Sequence, residues 1–316
     1  MEVVRLEPVP SIARPVAPGV VTIGNFDGVH RGHQALVRSA RERATLLDEA
    51  CLALTFDPHP AAILHPERAP LCLTTVAQKA ELLSALGVDI LAVLPFTPTL
   101  ASLAPAEFAR DVLVEVLGAR AVVVGDGFRF GKARAGDVDE LRRLGEALGF
   151  EVIAVPAVLH DSARVSSTRV RECLLAGDVE AAAALLGRPY FVDGRVVRGD
   201  GRGRTLGIPT ANLAVDNEIQ PKEGVYAARV ALPDGGPLRP AVVNLGHRPT
   251  FGGGAATTEA HLLDFEGDLY ERRLRVLFVA RLRDERKFSG REALVDQIQE
   301  DVRSARSVLA GGGDGL

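Results

Sequence analysis

The chain is poor in the features that mark several large classes of protein. Its three cysteines, Cys51, Cys72 and Cys173, show no C-x-x-C spacing, which gives neither a zinc site nor a disulfide framework and fits a reducing, cytoplasmic compartment. No apolar run is long enough to cross a bilayer, and the first residues carry Glu2 and Glu7 instead of the apolar core of a signal peptide, so no membrane partner is expected. A net charge of −4 and few aromatics for stacking bases argue against a dedicated nucleic-acid binder. A P-loop is also missing. Gly125 to Lys132 has its outline, but five residues instead of four separate Gly125 from Gly131, and Ala133 lacks the hydroxyl that would hold Mg²⁺.

What is present suffices for two cores: 316 residues, 47% hydrophobic and 25% charged. Residues 1–19 are Pro-rich and read as extended up to a strand at Val20–Ile23. Strands Cys51–Phe56, Asp89–Leu94, Ala121–Val124 and Glu151–Val155 then alternate with helices at about His30–Glu49, Val76–Leu86, Pro105–Leu117, Asp137–Leu148 and Val165–Leu175. This alternation predicts an α/β parallel sheet, Rossmann-like, with ligands at the C-terminal strand ends. Near Gly187 the pattern changes to consecutive strands at 190–197, 224–232, 241–245, 257–265 and 274–282. They predict an antiparallel barrel or sandwich, closed by a helix at 292–309. The domains read as 1–183 and 184–310, with 311–316 a disordered tail.

The stretch Gly24-Asn25-Phe26-Asp27-Gly28-Val29-His30-Arg31-Gly32-His33 lies between the first strand and the first helix. Its glycines permit a sharp turn, and the helix N-terminus offers unpaired N–H groups to an anion. His30 and His33 reach the same side and can donate to phosphate oxygens. A side chain at Gly32 is expected to stand where the phosphate comes. Two exposed histidines, or half of a metal site, are the alternatives; no third ligand lies near in sequence. Ser166-Ser167-Thr168-Arg169-Val170-Arg171 reads as either a capped helix start or a second phosphate loop.

The second domain carries Arg198-Gly199-Asp200-Gly201-Arg202-Gly203-Arg204 and then Ile208-Pro209-Thr210-Ala211-Asn212. Thr210 and Asn212 share a face in an extended segment, and such oxygen ligands suit Mg²⁺ held with ATP phosphates, which Gly201, Gly203 and Arg204 would cradle. The alternative is a basic turn touching nucleic acid. Glu259 and His261 share one face of their strand. Glu259 is a general-base candidate, with an edge-strand salt bridge as its other reading.

These motifs resemble, in order and along nearly the whole chain, the prokaryotic bifunctional riboflavin kinase and FMN adenylyltransferases. The N-terminal likeness rests on Gly24–His33, Thr55-Phe56-Asp57-Pro58-His59-Pro60, Phe128-Arg129-Phe130-Gly131 and Ser166–Arg171. The C-terminal likeness rests on Gly203–Asn212, Asn244–Phe251 and Glu259–Phe265. The resemblance implies a nucleotidyltransferase-type sheet, a riboflavin-kinase-type barrel, ATP as co-substrate and Mg²⁺. It implies riboflavin, FMN, FAD, ADP and pyrophosphate as the other small molecules. Catalytic or phosphate roles then fall to His30, His33, Ser167 and Arg171, with Gly24, Asn25, Phe26, Asp27, Gly28 and Gly32 around the ATP. Flavin contacts fall to His59, Asp126, Phe128 and Phe130, Mg-ATP contacts to Thr210 and Asn212, and the base to Glu259. One departure is Gly127, where the family usually has Asp or Asn before Phe-x-Phe-Gly. A riboflavin kinase whose N-terminal domain only binds or regulates is the rival reading.

Overall fold

The computed structural model describes residues 1–9, 18–199, 208–247, 256–286 and 288–311. It contains two compact units, Met1–Ser167 and Thr168–Leu316.

In the first unit β1 (Glu2–Arg5), β2 (Gly19–Ile23), β3 (Ala50–Phe56), β4 (Ile90–Leu94), β5 (Ala119–Gly125) and β6 (Glu151–Val155) form one sheet in the order β1-β4-β3-β2-β5-β6. All its pairings are parallel. The helices are α1 (Arg31–Leu47), α2 (Pro60–Leu64), α3 (Val76–Ala85), α4 (Pro98–Ser102), α5 (Pro105–Glu107, continued as a π-helical stretch Phe108–Val116) and α6 (Val138–Leu148). Both sheet faces are covered, which is why the strands read as unbroken apolar runs. Val21, Leu52, Leu54 and Val122 pack to one side with Val112, Leu113 and Leu141. Val20, Cys51, Ala53 and Val123 pack to the other with Val37, Ala40 and Ala44 of α1.

Strand order reverses at β2, which has β3 on one flank and β5 on the other. A crevice opens at such a reversal beyond the carboxyl ends of the strands. The turn Gly24–His30 leaves β2 there, and Asp126–Phe130 leaves β5 beside it, since Thr22 pairs with Val123.

The sequence reading missed β1, which pairs Glu2–Arg5 with Ile90–Val93 at the sheet edge. Four mostly exposed residues carry no alternation that would mark a strand. It also missed the small hairpin β7 (Leu159–His160) and β8 (Ala163–Arg164). The helix α7 (Ser167–Ala176) was expected; α8 (Val179–Leu186) was not, although Asp178 caps its start and Gly187 its end with φ 75°.

In the second unit β9 (Tyr190–Val197), β10 (Ala211–Val215), β11 (Gly224–Ala231), β12 (Arg239–His247), β13 (Ala256–Leu262) and β14 (Arg273–Arg283) close into an antiparallel barrel, ordered β10-β13-β12-β11-β14-β9. Closure removes the free edges a sandwich would keep. Tyr226 and Phe278 meet edge to face in its interior, 5.4 Å apart. Outside, α9 (Arg291–Gly311) lays Ala305 and Leu309 on Val225, Ala227 and Val242. Its buried Asp301 takes both arms of Arg283, at 2.8 and 2.7 Å, so neither charge is left uncompensated. Gly311 thus ends a helix instead of opening the tail; residues 312–316 lie outside the described residues.

Candidate functional site

The turn after β2 is held in a conformation its sequence would not choose. Phe26 and Val29 adopt left-handed φ values of 47° and 43°, beside Gly28 at 79°; for a β-branched residue this is a genuine outlier. Several contacts fix it. Phe26 is fully buried. The Asp27 carboxylate turns inward and accepts from Leu73 N at 2.8 Å and Thr74 N at 3.2 Å. Gly28 N donates to Thr74 Oγ1 at 3.1 Å, and Gln34 Nε2 to Val29 O at 3.0 Å. Strain of this kind persists where the surroundings over-determine it, and it gathers at working sites.

His30 caps α1. Its Nδ1 accepts from His33 N at 3.3 Å, so the neutral ring carries its proton on Nε2. The two imidazoles stack, with centroids 3.7 Å apart and planes 14° from parallel. Burial, then the charges of His30 and Lys79, push the His33 imidazole well below its ordinary value of 6.5. His33 Nδ1 is buried and, among the described residues, has no hydrogen-bond partner. The space beside Gly32 is taken by His30: a Cβ there would sit 3.0 Å from its ring, so the glycine makes room for the histidine. Phe26 likewise contacts His33 edge to face at 5.2 Å and supports the site from below.

Ser167, the first residue of α7, donates through Oγ to Asp27 O at 2.9 Å, tying the second phosphate motif to the first turn. Arg171 lies one turn further along the same helix. His59 caps α2 through Nδ1, and the Asn25 amide stands 3.0 Å from its Nε2. Beyond β5, Phe128 and Phe130 stack at 5.6 Å. Phe130 is buried and packs in the core; Phe128 is half-buried. Asp126 accepts from Ala157 N at 3.2 Å and faces Arg164 at 3.8 Å. Arg164 was not singled out by sequence: it sits on the missed hairpin, and only the fold brings its guanidinium over Gly127.

In the barrel, register does what sequence spacing could not. Asn212 on β10 pairs directly with Glu259 on β13, and Glu259 with Asn244 on β12. Paired residues share a sheet face, so the three polar side chains form one row. Among the described residues Glu259 has no ion-pair partner, so the salt-bridge reading finds no support there. His261 Nδ1 donates to Pro209 O at 2.8 Å and anchors the segment that delivers Thr210. A cavity of about 550 Å³ is lined by Gly199, Thr210 and Asn212 together with Phe265, Leu269 and Tyr270, while Glu259 and Asn244 are not among its lining residues. The turn 265–270 was missed as a site element because nothing in its composition separates it from any strand connection. Gly201, Gly203 and Arg204 lie outside the described residues, as does 248–251 of the Asn244–Phe251 motif.

A parallel sheet with a strained turn and stacked histidines at its strand reversal, and a barrel that pairs Asn212 with Glu259, suit an ATP-using group-transfer enzyme. The profile of the FAD synthetase family matches residues 14–169, and that of riboflavin kinase matches 186–309. The bifunctional riboflavin kinase/FMN adenylyltransferase of Pseudomonas fluorescens is 46% identical over 292 residues, 92% of this chain and 93% of that protein. The namesake from Escherichia coli (strain K12) is 39% identical over 287 residues, covering 91% of each. A crystal structure described as a macrolide-efflux protein from Streptococcus pneumoniae matches with a TM-score of 0.88 at 33% identity, over 97% of this chain and 99% of that one. Among the described residues of the present chain no helix is long and apolar enough to cross a membrane.

The chain belongs to the family of bifunctional riboflavin kinase/FMN adenylyltransferases. It phosphorylates riboflavin with ATP to FMN and adenylylates FMN with ATP to FAD, which favours two activities over the kinase-only reading.

Proposed function

We propose that the two reactions are divided between the stacked histidines of the sheet unit and the Asn212–Glu259 row of the barrel. In adenylyl transfer an oxygen of the FMN phosphate attacks the α-phosphorus of ATP, the bond to the β-phosphate oxygen breaks, and pyrophosphate leaves. The nucleophile is already anionic and needs no base. It needs donors that offset charge as it develops, and His30, His33, Arg171 and the N-terminus of α1 are those donors, while Ser167, whose hydroxyl is given to Asp27 O, ties the start of α7 to the turn. His59, Asp126, Phe128 and Phe130 border the flavin side, with Gly24, Asn25 and Gly28 shaping the ATP turn. The buried, unpartnered Nδ1 of His33 carries this assignment, because such an atom is costly unless a ligand completes it.

In the kinase the ribityl hydroxyl of riboflavin attacks the γ-phosphorus and ADP leaves. Glu259 takes the hydroxyl proton. Thr210 and Asn212 suit Mg²⁺. Their donors are neutral oxygens of the kind that would leave Mg²⁺ room for phosphate and water, and Asn212 is packed so closely against Gly199 that a Cβ there would lie 2.3 Å from its amide nitrogen. When bound, the ion neutralises developing phosphate charge. Gly201, Gly203 and Arg204 cradle the phosphates in this reading.

We assign 1–183 to the transferase and 184–310 to the kinase, with α7 carrying transferase residues although it groups largely with the barrel unit. A cytoplasmic setting accords with three free cysteines; the Cys51 thiol, pushed up to about 12 chiefly by burial, stays protonated. The test is product separation after incubation with riboflavin, ATP and Mg²⁺. His33→Ala should lower FAD formation from supplied FMN by ~10²-fold and spare FMN formation, and Glu259→Gln should do the reverse. Near-normal turnover in either variant removes that residue from its role.

A further inference from the structure

Lys79, which no motif highlighted, lies under the phosphate seat. It projects from α3 and is only 7% exposed. Its Nζ donates to Thr55 Oγ1 at 3.2 Å, and the fully buried Thr55 hydroxyl donates on to Asn25 O at 3.1 Å. The Asn25 amide in turn meets His59 at 3.0 Å. A relay thus runs from the ammonium to the turn that receives ATP.

A buried ammonium is costly unless a carboxylate touches it. Among the described residues none makes an ion pair with Lys79. The groups that face it are Asp27 from the turn, Asp57 from the end of β3, Cys72 from the loop before α3 and His33 from α1. Asp27 is the carboxylate that favours the Lys79 charge most, yet its Oδ1 already accepts from the backbone of Leu73 and Thr74. Burial lowers the Lys79 pKa more than the three acidic groups raise it. Its charge also works against a proton on His33. Methionine or leucine would fill this volume without that cost. The expense is offset when a polyanion arrives, because charges attract strongly where water is excluded.

We propose that Lys79 is a positioning residue of adenylyl transfer, fixing the Asn25–His59 edge of the turn through Thr55 and supplying, beneath His33, a buried positive charge that the ATP triphosphate neutralises. The proposal rests on the assignment of His30 and His33 to the ATP phosphates.

The test uses the full chain, with FAD formation from FMN as the readout, FMN formation from riboflavin as the internal control, and NMR of ¹³C-labelled imidazoles to follow the protonation of His33. Lys79→Met should lower transferase kcat/KM for ATP by roughly 10- to 100-fold, the scale of a lost electrostatic donor. It should leave the kinase within about twofold and raise the pH at which His33 takes up its proton, since a neighbouring charge is gone. Lys79→Arg should retain activity within about fivefold, keeping charge and donor. Thr55→Val should lower kcat by about 3- to 10-fold through the broken relay and leave the His33 titration in place. Parental transfer and an unmoved His33 titration in Lys79→Met would overturn the proposal, as would Lys79→Arg being as impaired as Lys79→Met, which would make the residue a packing element. Should Lys79→Met lose both activities by misfolding, a parental kcat in Thr55→Val overturns the relay. His33→Ala distinguishes the underlying reading, for undiminished FAD formation there removes the seat whatever Lys79 does.

Discussion

Gly199→Ala isolates one contact of the kinase site. The added Cβ would lie 2.3 Å from Asn212 Nδ2, 2.5 Å from its Cγ and 2.8 Å from its Oδ1. Comfortable contact for carbon begins near ~3.5 Å, so the amide must retreat by about 1 Å. Gly199 is not among the residues with positive φ, so alanine brings no backbone strain and the perturbation falls on the side chain of Asn212. That side chain has one task in the proposed mechanism, to help position the ATP phosphates for the attacking hydroxyl. A misplacement of about 1 Å costs on the order of 10²-fold in rate, or ~2.7 kcal/mol of barrier. The barrel should remain folded, because the neighbours of Asn212 on β10, Ala211 and Leu213, keep their buried positions. The assay is FMN formation from riboflavin, with conversion of supplied FMN to FAD in the same preparation as the reference. A kinase rate within twofold of the parent would refute the argument, since the collision cannot be avoided without moving the amide.

Other consequences can be measured separately. Burial first, then the charges of His30 and Lys79, hold the His33 pKa below 6.5; between that depressed value and 6.5 the folded chain binds fewer protons than the unfolded one, so stability rises with pH through this window and levels off above it. Urea midpoints against pH should flatten there in His33→Phe, and an unchanged slope would contradict the assignment. Asp126→Ala should leave the transferase KM for FMN within about threefold, whereas Phe128→Ala should raise it by about tenfold, as expected for a lost apolar ring contact. A fragment of residues 168–316 should phosphorylate riboflavin by itself. One starting at 184 cuts through α8 and loses buried Val179 and Ala182, so its chemical unfolding should show it less stable by roughly 2 to 4 kcal/mol; equal stability would mean that α8 contributes nothing to the barrel.

Legibility in the sequence followed the length and regularity of the elements. The parallel strands were readable because two covered faces demand continuous Val, Leu and Ala, and α1 because Val37, Ala40 and Ala44 recur at helical spacing. β1 was not, because its pairing with β4 depends on a partner about ninety residues away and not on its own composition. At the sites, glycine, histidine and hydroxyl spacing pointed to the turn after β2 and to Thr210 and Asn212. Spacing could not reveal that Asn212, Glu259 and Asn244 are placed in one row by strand register. Nor could it reveal that Gly32 yields space to an imidazole, or that Phe26 belongs to the core. Those facts depend on which strands pair and which way each side chain turns.

Gly127 is where this chain departs from the pattern it resembles, and its geometry bears on two accounts of the loop. If Asp126 replaced the missing side chain by swinging toward the flavin, it would have to release Ala157 N, which it holds at 3.2 Å, and leave Arg164, 3.8 Å away. Both contacts are those of a turn residue tying its loop to the neighbouring chain after β6, a common use of aspartate. The position opened by glycine is also covered: a Cβ on Gly127 would meet Arg164 Nη1 at 3.0 Å. That atom is the far end of a long side chain and can give way by a few tenths of an ångström, so packing alone does not require glycine. The Asp126 carboxylate is turned aside toward Arg164, and the Arg164 guanidinium lies over Gly127. In the proposed flavin site, apolar support for the ring then falls to Phe128, which stacks on Phe130.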